Sequence, residues 1–316
     1  MLEYFVGHLC QMPSAFQRNA LQLFLTLLLI SCQRTNSPGA SRGKPWEEFS
    51  GAKALAHVQR LVELGPRPPG SDAIEKSRAY IDNQLKLTGW QVERQRFTSD
   101  TPQGKVEFVN LIARFSAPSR VSPTFLLCSH YDTKFFPNVR FVGANDGGSS
   151  TGLLLELARV LGSDPALAAK MELVFFDGEE AYEKFSPTDG LYGSRYFASH
   201  LGNNARFRGG LLFDMVGDRS LNITLPPDSP AQMAHGLFAA AEALNLRQYF
   251  SYFDSSITDD HTPLNAIGVP TMDLIDFDFA WWHTADDTID KLSAQSLQVV
   301  GSVAAYYLSE FALKRE

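Results

Sequence analysis

The residue types able to do chemistry in this chain fall at the ends of apolar runs. Leu126-Leu127-Cys128-Ser129 leads into His130-Tyr131-Asp132, and Leu173-Val174-Phe175-Phe176 leads into Asp177-Gly178-Glu179-Glu180. Leu211-Leu212-Phe213 meets Asp214, and the run over 269–272 meets Asp273. A single acid at a strand end is ordinary, because it often caps the next helix. Several carboxylates delivered to one edge are different, since crowded negative charge is costly unless a cation neutralises it. Imidazole mixed with carboxylate, with no cysteine among them, suits zinc or a neighbouring first-row metal better than calcium.

Two loops add to this set. Gly143-Ala144-Asn145-Asp146-Gly147-Gly148 places an acid among small residues that let backbone approach closely, just ahead of a helical pattern. Trp281-Trp282-His283-Thr284 places a histidine beside two bulky aromatics. Taken singly, Trp282 reads as core packing and His283 as a satisfied loop histidine. One competing signal fails on context. Gly148-Ser149-Ser150-Thr151-Gly152 matches the Gly-x-Ser-x-Gly nucleophile elbow, but that elbow needs a buried strand directly before it, and residues 142–146 are polar and glycine-bearing.

These groups need elements to position them. Helical spacing of apolar residues runs over 46–64 and 71–87, divided by Gly65-Pro66-Arg67-Pro68-Pro69-Gly70. Residues 91–97 and 106–115 read as alternating strands. Beyond them, apolar runs at 124–129, 171–176, 210–215 and 269–275 alternate with helical patterns at 151–161, 191–201, 231–244 and 293–313. Strands without polar alternation are covered on both faces. The expected fold is therefore a single α/β domain over 46–316, three layers α/β/α around a mixed, mostly parallel sheet. In such a sheet, ligands bind in the crevice beyond the carboxyl ends of the strands.

Composition excludes several classes. Hydrophobic residues make up 44% of the 316-residue chain and charged residues 20%, which is globular rather than disordered or polytopic. A formal charge of −7 offers no footprint for nucleic acid. Three cysteines make no disulfide scaffold, and Cys128 inside an apolar run reads as a small buried side chain. Residues 20–31 form an apolar run of signal-peptide length that ends Leu29-Ile30-Ser31-Cys32, similar to a bacterial lipobox. The expectation is a signal peptide over 1–31, a lipidated flexible tether over 32–45, and an exported lipoprotein at the periplasmic or cell surface, held to the membrane only through Cys32. Fatty-acid labelling that survives Cys32→Ser would remove that expectation.

Taken in order, His-Tyr-Asp, Asn-Asp-Gly, Asp-Gly-Glu-Glu-Ala, Phe-Asp-Met-Val-Gly, Asp-Asp-His and Trp-His-Thr resemble the zinc aminopeptidase superfamily. Within it the chain looks most like the glutaminyl-peptide cyclotransferases. The cyclase-like flanks are 130–134 (His-Tyr-Asp-Thr-Lys), 186–195 ending Leu-Tyr-Gly-Ser-Arg, and 259–264 (Asp-Asp-His-Thr-Pro-Leu). The resemblance implies one zinc on Asp146, Glu180 and His283, with Glu179 as proton shuttle. It makes Asp214 and Asp259 an acidic network around Glu179, and Trp282 a wall of the substrate pocket. Phe185 and Asp273 replace a tryptophan and a histidine of animal cyclases at substrate-pocket positions. The implied reaction converts the N-terminal glutamine of peptides to pyroglutamate with release of ammonia, by a monomer.

The aminopeptidase alternative uses the same residues. Asp146 would then bridge two zinc ions, one also held by Glu180 and His283, the other by His130 and Asp214, with Asp132 behind His130. Residues for both readings are present, so the choice between one ion and two rests on the cyclase-like flanks. A third possibility, a non-catalytic binding protein on the same fold, fits poorly with a full complement of ligands and catalytic acid.

Overall fold

The computed structural model describes residues 43–115, 123–202 and 204–314. The signal peptide expected over 1–31, Cys32 and the tether as far as residue 42 lie outside the described residues. Eight strands form the sheet: β1 (Trp90–Thr101), β2 (Gly104–Phe115), β3 (Phe125–His130), β4 (Met171–Phe176), β5 (Gly209–Asp214), β6 (Ile223–Leu225), β7 (Phe250–Tyr252) and β8 (Thr271–Ile275). Their order is β1-β2-β4-β3-β5-β8-β6-β7. The four central strands β4, β3, β5 and β8 run parallel, while the β1–β2 hairpin joins β4 antiparallel and β6 joins β8 antiparallel.

The central strands are buried from end to end. Alternate residues go to opposite faces, as strand geometry requires. Leu127, Leu173, Phe175, Leu211 and Phe213 join the larger core with helices α1 (Pro45–Glu48), α2 (Gly51–Leu64), α3 (Asp72–Leu87), α4 (Gly148–Gly162) and α5 (Pro165–Ala168). Leu126, Cys128, Val174, Phe176 and Leu212 point the other way, against Phe197 of α6 (Tyr192–Ser199). Helices α7 (Ala231–Ala243) and α9 (Ala294–Tyr307) contribute Leu237 and Val300 to the first face, and α8 (His261–Ala266) contributes Leu264 to the second. The three-layer mixed sheet matches the expectation from the apolar runs.

Three local expectations are corrected. The single helix over 46–64 is two, because Phe49 takes extended φ/ψ and buries its ring while Ser50 caps the second helix through Lys53 N. The helix over 293–313 stops at Tyr307 and closes with a π turn, Leu308–Ala312. Asp273 is not at the end of its strand: β8 continues through Leu274 and Ile275, so Asp273 sits mid-strand and fully buried. A mid-strand acid is tolerated there because burial, reinforced by Asp259 and Asp214, pushes its carboxyl well above the ordinary range and favours the neutral form.

The strand order fixes where the site lies. β3 has β4 on one side and β5 on the other, and the chain crosses from β4 to β5 over β3. The crevice at such a reversal is open at the carboxyl ends. His130 ends β3, Asp177 follows β4 and Asp214 ends β5.

Candidate metal centre and active site

A cavity of ≈ 320 Å³ opens at this edge. Asp146, Glu179, Glu180, Asp214, Asp259, His283, Phe185 and Trp282 all line it, together with Met215, Ile257 and Phe277. Of the residues picked out from the sequence, His130, Asp132 and Asp273 stand off the wall. His130 is buried behind Asp146 and Asp214. Asp273 is fully buried, 3.6 Å from His261 Nδ1. Trp282 is no core residue, being 42% exposed with one face stacked on His283 at 4.1 Å between centroids. Ser150 of the Gly-x-Ser-x-Gly match is buried in the first turn of α4, where no substrate reaches it.

Two ligand triads share one carboxylate. His283 Nε2 lies 3.4 Å from Asp146 Oδ2 and 3.2 Å from Glu180 Oε2. His130 Nε2 lies 3.3 Å from Asp146 Oδ1 and 3.2 Å from Asp214 Oδ1. Donors bound at 2.0–2.2 Å to one tetrahedral zinc stand roughly 3.3–3.6 Å apart. Both triads therefore have the spacing of a cation site. Asp146 Oδ2 and Glu180 Oε2 are also buried without a hydrogen-bond partner. Orphaned buried carboxylate oxygens are expensive, and a divalent ion satisfies them. The residues present thus fit zinc in chemistry, spacing and unsatisfied valence.

Backbone contacts hold these ligands in place. Asp146 follows a loop fixed by Asp287, whose carboxylate accepts the amides of Asn145 (2.7 Å) and Asp146 (3.1 Å). Burial and the nearby charge of Asp146 push the Asp287 carboxyl up to about 7. Asn145 in turn accepts the amide of Gly217, and Ser149 Oγ accepts that of Val216, which ties the Asp146 loop to the one leaving Asp214. Gly147 has φ +72°, and a Cβ there would come within 2.6 Å of Asp132 O and 2.9 Å of His130 Cε1, so only glycine lets the chain pass behind the ligands. The Asp132 carboxylate accepts the amides of Glu179 (3.2 Å) and Glu180 (3.4 Å) and lies 3.5 Å from His130 Nδ1. One acid therefore orients a histidine and both glutamates. His283 and Met215 have φ of 57° and 48°, a left-handed conformation uncommon outside glycine and typical of functional sites.

Electrostatics sets Asp146 apart from the other carboxylates of the cavity. Burial works against charge on Asp146, but His130 and His283 outweigh it and hold its carboxyl below the ordinary range. Glu180 is raised by burial and by Asp146. Burial pushes Glu179 well above the ordinary range, with Glu180, Asp259 and Asp260 adding to it against the pull of His130. Asp259 is raised to about 6 by burial and Asp214. A ligand is needed as an anion and a shuttle as a group able to hold a proton, and Asp146 and Glu179 lie on those two sides.

Sequence reasoning left several positioning residues without a role. Arg67, read only as part of a helix break, is fully buried and donates to the carbonyls of Tyr131, Val142 and Gly143, clamping the loop ahead of Asp146. Lys134, quoted only inside a motif, lies 3.7 Å from Glu180 Oε2. His261 lies between Asp228, at 3.3 Å, and Asp273, and forms with Asp259 and Asp273 a third buried group of donor atoms. Asp287 had a faint signal in its position shortly after Trp-His-Thr. Nothing in the sequence marks an acid that caps two amides.

A mixed α/β/α sheet whose carboxyl edge gathers paired Asp/Glu/His triads around a small cavity defines a metalloenzyme of the aminopeptidase type. Comparison with known proteins narrows the class. Residues 110–308 match the family model described as Peptidase family M28. The chain is 32% identical over 292 residues to the glutaminyl-peptide cyclotransferase of Bothrops jararaca, spanning 79% of this chain and 78% of that protein. The crystal structure of an Acidobacteriales bacterium glutaminyl cyclase superposes with TM-score 0.74 and 35% identity, over 82% of this chain and 94% of that one. A Zn-dependent exopeptidase from Parabacteroides distasonis superposes with TM-score 0.76 and 27% identity, over 83% and 98%. The chain belongs to peptidase family M28, in its glutaminyl cyclase branch.

Proposed function

We propose that this protein is a zinc-dependent glutaminyl-peptide cyclotransferase, converting the N-terminal glutamine of peptides to pyroglutamate. The observation that carries the reading is the Asp146–Glu180–His283 triad converging on the wall of one cavity with the proton-holding Glu179 beside it. The bound ion, held by Asp146, Glu180 and His283, would polarise the γ-carbonyl of the glutamine.

The remaining work falls to side chains. Trp282 and Phe185 form apolar walls that fold the glutamine so that its α-amine faces its own side-chain carbonyl carbon, an effect of orientation. Glu179 accepts a proton from the amine as the nitrogen–carbon bond of the five-membered ring forms. It returns that proton to the side-chain nitrogen as the carbon–nitrogen bond breaks, and ammonia departs. Asp259, which lines the same cavity, helps keep the Glu179 carboxyl able to hold the proton between these steps, and Asp214 beside it raises Asp259 in turn. The enzyme acts as a monomer in this reading.

The second reading, a two-metal aminopeptidase, is favoured by one specific observation, the complete His130–Asp146–Asp214 triad. The two separate in one experiment. Purified, zinc-loaded protein is given a Gln-peptide and leucyl amide. Pyroglutamate and ammonia with intact leucyl amide support the cyclase; free leucine supports the peptidase.

A further inference from the structure

A third group of donor atoms shares no residue with the two triads of the cavity. Asp259 and His261 stand either side of Asp260 where the chain enters α8, and Asp273 is the middle residue of β8. One donor atom from each of Asp259, His261 and Asp273 lies within 4.8 Å of the other two. All three side chains are buried, His261 being only 1% exposed. Asp259 Oδ2, His261 Nδ1 and both carboxylate oxygens of Asp273 have no hydrogen-bond partner. A buried imidazole between acids would ordinarily pair with one of them. Here His261 Nδ1 stands 3.6 Å from Asp273 Oδ2, beyond hydrogen-bond reach and close to the roughly 3.3–3.6 Å that separates donors around a tetrahedral zinc. Orphaned polar atoms at this depth are expensive, and these face one another as the ligands of a cation do.

The other side of the ring carries an independent sign. His261 Nε2 lies 3.3 Å from Asp228 Oδ2, and Asp228 is half exposed. A carboxylate at the second ring nitrogen is the usual support of a metal-bound histidine, because it holds the proton there and leaves the first nitrogen its lone pair. Imidazole with carboxylate and no sulfur suits zinc or a neighbouring first-row metal.

We propose that Asp259, His261 and Asp273 form a further zinc site, weaker than the Asp146–Glu180–His283 triad, with Asp228 orienting His261 from outside. The site needs no glutamine turnover, so it stands independently of the cyclase reading. Asp259 lines the cavity and gives an ion its way in. Binding displaces the proton that Asp273 holds when no ion is there. The site is the weaker one because His261 stands farther from Asp273 than His283 does from Asp146 or Glu180, and the donors must draw together. An ion held there ties β8 to the segment entering α8 and fixes Asp259 on the cavity wall.

The test is metal content after dialysis of the full chain against excess zinc. The wild type should carry a tight equivalent and a weaker one that leaves first on dialysis into metal-free buffer. Asp273→Asn and His261→Asn should keep only the tight ion. Asp228→Ala, a change at a half-exposed side chain, should weaken the second ion about 10–100-fold and leave the first in place. Glu180→Gln should do the converse, losing the tight ion and keeping the weak one. Wild-type crystals soaked in excess zinc locate the ions without any variant, and an anomalous peak among Asp259, His261 and Asp273 supports the site whether or not Gln-peptides are cyclised. A second peak at His130 and Asp214 with none at His261, no second peak at all, or a second equivalent that survives all three substitutions unchanged overturns it.

Discussion

In the proposed mechanism Glu179 and Glu180, neighbours in sequence, have opposite tasks, and the difference arises from what each carboxylate faces. Glu180 Oε2 is 3.2 Å from His283 and has no hydrogen-bond partner, the state of a ligand. Glu179 faces further acids and is raised well above the ordinary range by burial first and those neighbours next. Glu179→Gln should therefore retain bound zinc while kcat falls about 10²–10⁴-fold, the usual worth of a positioned proton carrier. Glu180→Gln should lose zinc. Elemental analysis with steady-state kinetics reads both, and the reverse pattern would exchange the roles. The pair was legible as chemistry because carboxylates after a buried strand stand out. Asp287 and Arg67 were not legible in the same way, nor was the hold of Asp132 on the Glu179 and Glu180 amides, since capping an amide or clamping a carbonyl needs contacts between segments far apart in the chain.

Elements place these residues through close backbone contacts that side-chain patterns do not reveal. Gly178, between β4 and Glu179, has φ +70°, and an added Cβ would sit 2.4 Å from Phe108 Cε1 on β2. Gly178→Ala meets both a left-handed backbone and an overpacked ring, together about 2–4 kcal/mol. The loss should appear in denaturant unfolding and be smaller in a Phe108→Leu background, because only the steric part is relieved there. An equal cost in both backgrounds would show that the ring is not the obstacle. The four central strands were readable from continuous apolar runs, and their ends marked the functional edge. Asp273 misled for a related reason. A neutral buried acid interrupts an apolar run as a strand end does, and only the β5–β8 pairing, with Leu212 opposite Asp273, shows the strand continuing.

At the scale of the whole molecule, a fold that buries many carboxylates depends on pH. Asp276, at the end of β8, is buried and raised to about 8 by burial, with Asp278 adding to it and the Asn222 amide opposing. A carboxyl raised in the folded state binds its proton more tightly than in the unfolded chain. Its contribution is therefore fully present below the unfolded value of about 4 and lost as pH rises through about 8. Asp276→Asn keeps the acceptor for the Asn222 amide and removes the titration. Thermal melts of variant and wild type should diverge with rising pH up to about 8, the variant gaining; parallel curves would mean that Asp276 stays ionised in the fold. The central claim is that chain segments far apart in sequence converge on one cation through Asp146, Glu180 and His283. Anomalous diffraction at the zinc edge, from crystals grown with one equivalent of zinc, tests it most directly. The account predicts one peak in bonding contact with all three side chains; no peak there, or one held only by His130 and Asp214, would contradict it.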